Sequence, residues 1–352
     1  MKNIYVGFSG GADSTCLLYI LNKLIKTNPD FSEYNLIAIH VNHMIRKKDA
    51  ALDEKFCMNF CIQNNINYIP VKIDVPKFSK LSHVGLEEGA RICRYNIYKK
   101  ICGNDIIFLA HHMNDQAETI IQNIIRGSGL KGLCGMKSAM QQETEFNIDE
   151  NIFNKCIQRK FEYDKTAKVL NINRPFIEVS KKTIEEYLKN KKIKYVTDIT
   201  NFDDNYARNY IRLNIIPSME KLNSKVTEHI SELSKLAYDI DKDYYDFAYR
   251  ESSKILSVGG NNKNIVSIEI NDIKKYSDIK IYYILSYAIF DILKVNKKDW
   301  NKKHFGYCIN MIKKEAGGHI DLPCNITADK KNKIITFIKN DYNVSMDSRK
   351  KK

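Results

Sequence analysis

Hydrophobic and polar positions alternate between two periods along the first 126 residues. Short apolar runs of strand character lie at 3–8 (NIYVGF), 35–41 (NLIAIHV), 67–75 (NYIPVKIDV) and 105–112 (DIIFLAHH). After each run, apolar residues recur at helical spacing, over 14–25, 49–65, 85–102 and 115–126. Strict strand–helix alternation predicts an α/β fold with a parallel sheet covered on both faces. Ligands of such sheets lie outside the carboxyl ends of the strands. The ends of the first, second and fourth strands are therefore predicted to share one crevice.

The pattern breaks at 137–172, an acidic and polar stretch. Within it, 152–163 (IFNKCIQRKFEY) and 167–176 (AKVLNINRPF) read as a hairpin. A helix follows, with Thr183 and Glu186 as a capping box, then a short helix over DNYARNYIRLNIIPSME ended by Pro217. From about 218 the texture changes. Val226, Ile230, Leu233, Ala237, Ile240, Tyr244 and Phe247 form a heptad stripe, read as one face of a long helix packed within the protein. A turn and strand follow over 257–270. The expected organisation is a domain over 1–217, a long helix leading into a smaller α/β domain over 218–340, and a disordered basic tail over 341–352.

Hydrophobic residues make up 43% of the 352 residues, which predicts folded domains and excludes a disordered chain. No apolar run reaches membrane-spanning length, and no membrane partner is expected. The N-terminus, MKNIYVGFSGG, lacks a signal-peptide layout, so the expected location is the cytoplasm. A formal net charge of +14 suits a polyanionic partner, although a Lys-rich proteome bias would produce it too. The nine cysteines include no C-x-x-C pair, which argues against a disulfide framework or a four-Cys zinc site.

Chemistry concentrates at the strand ends. Ser9-Gly10-Gly11-Ala12-Asp13-Ser14 joins the first strand to the first helix and reads as a phosphate cradle. Its glycines permit φ > 0, successive N–H groups form a nest, and a helix N-terminus adds partial positive charge. No Lys follows the glycines, which separates it from the G-x-x-x-x-G-K-[ST] loop. The single acid, Asp13, suits pyrophosphate leaving with magnesium. The alternative is a plain strand-to-helix turn with Ser14 as N-cap. GSGLKG (127–132) fits a dinucleotide fingerprint but follows a helix, so it reads as a helix stop.

At the fourth strand's end, His111, Asp115 and Glu118 could hold magnesium, contact a triphosphate and accept a proton, or Asp115 and Glu118 could form a capping box. At the second strand's end, His40 reads as a core histidine, while His43 and Arg46 fall where they could reach a nucleotide. Arg91 and Arg94 share a helix face, as do Arg208 and Arg212, the latter interleaved with Tyr206 and Tyr210. The first suits phosphate and the second RNA; the first is equally compatible with a solvated helix face, and the alternative for the second is an ordinary amphipathic helix.

Taken in order, SGGADS, HVNHMIR, ARICRY, LAHHMNDQAETIIQNIIRGSGLKGLCGM and the RPFIEVSKKTIEEYL…DITNFDDNYARNYIR block resemble the tRNA(Ile)-lysidine synthetases, within the PP-loop ATP pyrophosphatases. The likeness covers about 1–217, with a weaker echo at GGHIDLPCNI (317–326). No room is expected for the further C-terminal domain of longer members. The resemblance implies a C–N ligase that uses ATP and magnesium to adenylate carbon 2 of the wobble cytidine in a CAU-anticodon tRNA(Ile). Free L-lysine then displaces AMP. It implies that Ser9, Gly10, Gly11, Ala12, Asp13 and Ser14 bind ATP, and that Asp13 and Asp115 hold magnesium. Asp13, Arg91, His111, Asp115 and Glu118 would be catalytic, with the acids also open to the lysine ammonium. Arg94, Arg208 and Arg212 would contact tRNA, and a homodimer is a further expected partner. The stretch 137–172 is longer and more acidic than the family's usual spacing, and is expected to point away from RNA.

Two other readings stand beside this one. A PP-loop tRNA thiolase would lean on paired cysteines, for which only Cys57 and Cys61 are close enough. A nucleotide-binding RNA chaperone would have little use for three acids beside a triphosphate.

Overall fold

Parallel strands need a crossover between each pair, and the first half of the chain supplies a helix after every strand. The computed structural model describes residues 2–45, 47–143, 149–158, 169–197, 207–314 and 316–340. In order come β1 (Lys2–Gly7), α1 (Ala12–Thr27), β2 (Tyr34–Asn42), α2 (Lys47–Asn64), β3 (Asn67–Lys72), α3 (Val75–Ser82), α4 (Leu86–Cys102), β4 (Ile106–Phe108), α5 (Met113–Ile125) and α6 (Leu130–Leu133). β5 (Ala139–Glu143), α7 (Glu150–Cys156), β6 (Val169–Asn173), α8 (Lys181–Lys191) and α9 (Ala207–Tyr210) follow. A π-helical turn (Ile211–Ile215) joins α9 to α10 (Ile216–Leu222), and α11 runs Val226–Ile255. The six strands lie in the order β3-β2-β1-β4-β6-β5. All pair in parallel except β5, which is antiparallel to β6 at the edge.

The order reverses direction at β1, between β2 and β4, which is where the expected crevice opens. Ile39, Val71 and Ile107 pack under α3, α4 and α7 on one face, with Cys93, Ile97 and Phe153. Val6, Phe8 and Ala38 pack on the other, with Leu17 and Leu18 of α1, Cys57 of α2 and Leu188 of α8. Eight of the nine cysteines are buried free thiols, small apolar fillers rather than reactive groups.

Several sequence expectations need correction. The stretch 152–163 is not a hairpin arm, since its described part forms α7. Asp149 caps that helix by accepting from the N–H groups of Asn151 and Ile152. Phe153 and Cys156, three apart, turn one helical face into the core. The true partner of β6 is β5. Helix α3, capped by Asp74, went unread. The N-cap of α8 is Ser180, whose hydroxyl accepts from Thr183 N–H at 3.1 Å, so Thr183 is the capped residue and not the cap. Pro217 does not end a helix but sits in the first turn of α10, where a missing N–H costs nothing. On α11 the inward stripe includes small residues, among them Ser231, Ser234, Ala237, Ala248 and Ser252. Of the expected heptad stripe, Ala237 is buried and Ile230, Tyr244 and Phe247 pack against core clusters, whereas Leu233 and Ile240 are exposed.

The chain divides into two units, 1–236 and 237–352, and the division falls inside α11. The texture change at 218 marks the start of the helical stretch that leads to it. The second unit carries β7 (Leu256–Gly259), β8 (Ile265–Glu269), β9 (Gly318–Leu322), β10 (Ile326–Lys331) and β11 (Ile334–Lys339), which form a five-stranded antiparallel sheet in the order β7-β8-β11-β10-β9. Helices α12 (Ile270–Lys274), α13 (Asp278–Ser286) and α14 (Lys302–Lys313) cover it, over a core that includes Ile268, Ile284, Phe305, Ile312 and Phe337. Among the described residues no helix is long and apolar enough to cross a membrane. The expected disordered tail, Arg46 and parts of 137–172 lie outside the described residues.

Phe153 is fully buried with Lys100 over its ring at 5.5 Å, which makes α7 part of the core rather than a surface addition. Phe153→Ala should destabilise the first unit by about 3–5 kcal/mol, measured by urea unfolding followed through a probe in that unit.

Candidate nucleotide cleft

The loop after β1 is set by one glycine. Gly10 has φ +88°, and a Cβ there would lie 3.0 Å from Cys57 Sγ and 3.2 Å from Phe56 Cδ1. Its carbonyl accepts from Val196 N–H at 2.9 Å and from the Thr15 hydroxyl at 3.1 Å. Gly11 occupies the N-cap of α1 and no side chain caps the helix. Ser14 is therefore not the cap that the plain-turn reading requires. It instead bonds Ser9, hydroxyl to hydroxyl, at 3.0 Å. The open first-turn donors and the helix dipole are what an anion needs.

Beside this loop is a cleft of about 200 Å³ at the ends of β1, β2 and β4, lined among others by Ser9, Asp13, His43, Arg94, Tyr95 and His111. Burial pushes the pKa of His43 down to about 3, with Arg94 and His40 adding to the shift. Its Nε2 is buried without a partner among the described residues. His40 is the core histidine expected, with Nδ1 2.9 Å from the carbonyl of Phe8. Arg91 stands on the exposed face of α4, its guanidinium 5.1 Å above the ring of Tyr95, and does not line the cleft. Arg94 does.

Next to the cleft, α5 carries a compact ion cluster. Glu118 is 1% exposed, and both of its oxygens are taken: Arg212 Nε donates to Oε1 at 2.6 Å, while Arg212 Nη2 and Arg208 Nε donate to Oε2 at 2.9 and 2.8 Å. Arg208 Nη2 also donates to Asp115 Oδ1 at 3.1 Å. Burial pushes the Asp115 carboxyl up, but His112, Arg208 and His111 outweigh it and hold the group below the usual carboxylate range. The two arginines expected to meet RNA thus balance the two acids expected to meet lysine or metal.

His112, which the sequence reading passed over for its neighbour, joins cluster and loop. It is the N-cap of α5, and the capping box pairs it with Asp115, not Asp115 with Glu118. Asp115 N–H donates to His112 Nδ1 at 3.3 Å, so the ring proton of the neutral form is on Nε2. That nitrogen lies 3.6 Å from Asp13 Oδ2 and 3.5 Å from Asp115 Oδ2. Asp13 Oδ1 is buried with no donor among the described residues, and burial pushes its pKa up. Arg174 and Gln116 were also unread. Arg174 is 3% exposed and donates from Nε to His111 Nδ1 at 3.2 Å. Gln116 ties α5 to the loop after α6, accepting from Met136 N–H at 2.7 Å, and to Ser234 of α11 at 2.8 Å.

Among the described residues no group of three or more His, Cys, Asp or Glu is placed to hold a metal ion. Magnesium does not need one, since it keeps several waters and takes one or two carboxylates with substrate phosphates. Of the two acids expected as ligands, Asp13 has the free oxygen; both oxygens of Asp115 already accept hydrogen bonds. The residues fit a phosphate-bound cation at Asp13. Cys57 and Cys61 are fully buried, and burial pushes the Cys61 thiol up to about 12 and Cys57 higher still, which leaves neither a ready nucleophile.

A PP-loop domain model matches residues 1–219. A tRNA(Ile)-lysidine synthase of Clostridium tetani is 35% identical over 332 residues, which is 92% of this chain and 62% of that protein. One from Pseudothermotoga lettingae is 33% identical over 85% of this chain and 61% of its own length. One from Clostridioides difficile is 34% identical over 82% and 56%. The chain therefore spans less than two thirds of the length of these relatives. A solved U34-tRNA thiolase from Methanococcus maripaludis, with its 4Fe-4S cluster, aligns at a TM-score of 0.49 and 19% identity over 67% of this chain and 73% of that one. A likeness that distant carries no functional argument.

Two outcomes follow from the charges. Arg212→Ala should cost about 3 kcal/mol in thermal or urea unfolding, since Glu118 then keeps only Arg208, and Glu118→Gln in that background should recover part of the loss. His43 is neutral in the fold, whereas an unfolded chain protonates it near 6.5. The unfolded state binds more protons between about 6.5 and about 3, so stability falls as pH drops through that window. His43→Asn should flatten the slope of stability against pH there, by up to about 1.4 kcal/mol per pH unit.

Proposed function

We propose that this chain, which belongs to the PP-loop domain family, adenylates carbon 2 of the wobble cytidine of a CAU-anticodon tRNA(Ile) and joins lysine to it. The observation that carries the reading is the uncapped α1 N-terminus opening beside a cleft that holds Asp13, Arg94 and His111. An ATP triphosphate laid along that loop meets backbone donors, the Ser9 and Ser14 hydroxyls, and the guanidinium of Arg94.

The cytidine leaves its stack to reach the cleft, which an anticodon loop permits more readily than a duplex. Its carbon 2 oxygen attacks the α-phosphorus of ATP and pyrophosphate departs. The lysine amine then attacks carbon 2, loses a proton and expels AMP. Asp13 would hold magnesium, which neutralises charge on pyrophosphate when bound. Asp115 and Glu118 are already paired with Arg208 and Arg212, so a lysine ammonium would meet them by taking the place of one of those guanidiniums. Arg208 and Arg212 are the cations nearest those acids, and the groups suited to tRNA phosphate.

Radiolabelled lysine, ATP and magnesium should label a CAU-anticodon tRNA(Ile) transcript and not a wobble-uridine one. Asp13→Asn should lower the rate by about 10²-fold or more with the tRNA still bound. Conversion of ATP to AMP with no lysine uptake would keep the adenylation and reject lysine as the nucleophile.

A further inference from the structure

Arg174 follows the last residue of β6, where Asn173 pairs with Phe108 of β4. At 3% exposure a guanidinium ordinarily has an acid beside it, yet among the described residues Arg174 has no carboxylate partner. Its bonds go to neutral groups. Nη1 donates to the Lys137 carbonyl at 2.8 Å, the side chain bonds Tyr95, and Nε donates to His111 Nδ1 at 3.2 Å.

A guanidinium has donors only, so the Nδ1 that receives Arg174 must offer its lone pair. The neutral ring then carries its proton on Nε2, which has no hydrogen-bond partner among the described residues, and His111 lines the nucleotide cleft. A histidine built as a general base has the reverse arrangement, with an acceptor on Nδ1–H that stabilises the imidazolium. The charged groups facing His111 are Asp115 of α5, Arg174 after β6, Arg94 of α4 and Arg208 of α9. Burial and the three arginines outweigh the one acid and push its pKa down to about 3.

We propose that Arg174 is a positioning residue that fixes His111 as a neutral Nε2–H donor, aimed at the negative charge that builds on the α-phosphate during adenylyl transfer. His111 is then not the base that deprotonates lysine. The donor role rests on the adenylation reading above; the tautomer does not.

The test is a long-range proton–nitrogen correlation spectrum of the full chain with nitrogen-15 histidine, with the His111 signals assigned by their loss in His111→Gln. The expected result is an unprotonated Nδ1 and a protonated Nε2 from about pH 8 down to about pH 5. Arg174→Met should lose that single tautomer and titrate within the range. Arg174→Gln, which keeps a donor, should retain it. Arg174→Met should also lower the adenylation kcat by about 10-fold to 10²-fold with the KM for tRNA unchanged, and add an acid limb to its pH profile. A protonated Nδ1 in the wild type, or an Arg174→Met protein with unaltered spectrum and pH profile, overturns the inference. The spectrum needs no turnover. The expected tautomer in a protein that transfers no lysine would therefore reject the reaction while upholding the positioning role of Arg174.

Discussion

Two carboxylates on one face of α5, Glu118 buried and Asp115 half-buried, govern how this end of the domain is built. An unpaired ionised Glu118 would cost several kcal/mol at its depth. The partners that satisfy it, Arg208 and Arg212, come from 90 and 94 residues further along the chain. That pairing anchors α9 and the π-helical turn against α5. Gln116, on the same helix, binds the loop after α6 and Ser234 in turn. Helix α5 is thus held from several directions by polar bonds, and His112 at its N-cap with Asp115 in its first turn stands beside Asp13 of the Ser9–Ser14 loop.

Charge is sorted across the site. The acids Asp115 and Glu118 each have a guanidinium, and the net field there is close to balanced. On the cleft side the order reverses. Arg174, Arg94 and Arg208 face His111 with Asp115 as the one acid, so positive charge predominates around that neutral ring. His112 stands at the border, within 3.6 Å of both Asp13 and Asp115.

Much of this was legible from residue order. Each parallel strand writes its own apolar run, and the Ser9–Ser14 loop carries its chemistry in contiguous residues, so local reading suffices. Asp115 and Glu118 were visible for the same reason. The arginine pair was visible as residues but not as their partners, because a contact spanning 90 positions leaves no local trace. Arg174 was hidden behind an ordinary Arg-Pro step. Its role exists only because β6 lies beside β4 and so brings residue 174 next to His111. Helix α7 was misread because Ile152, Phe153 and Cys156 form a run too short to separate strand from helix without its Asp149 cap. On α11 the packed face combines part of the apolar stripe, Ala237, Tyr244 and Phe247, with buried serines such as Ser231 and Ser234 that carry no apolar signal.

Gly10 has a bearing on selection under drug pressure. A side chain there would adopt a backbone conformation that L-residues rarely take, and its first carbon would press on Cys57 and Phe56 in the packed body of α2. The same residue's carbonyl is already bound by Val196 and Thr15. An inhibitor that competes for the loop by bonding the backbone around position 10 would therefore press on a codon with almost no viable neighbours.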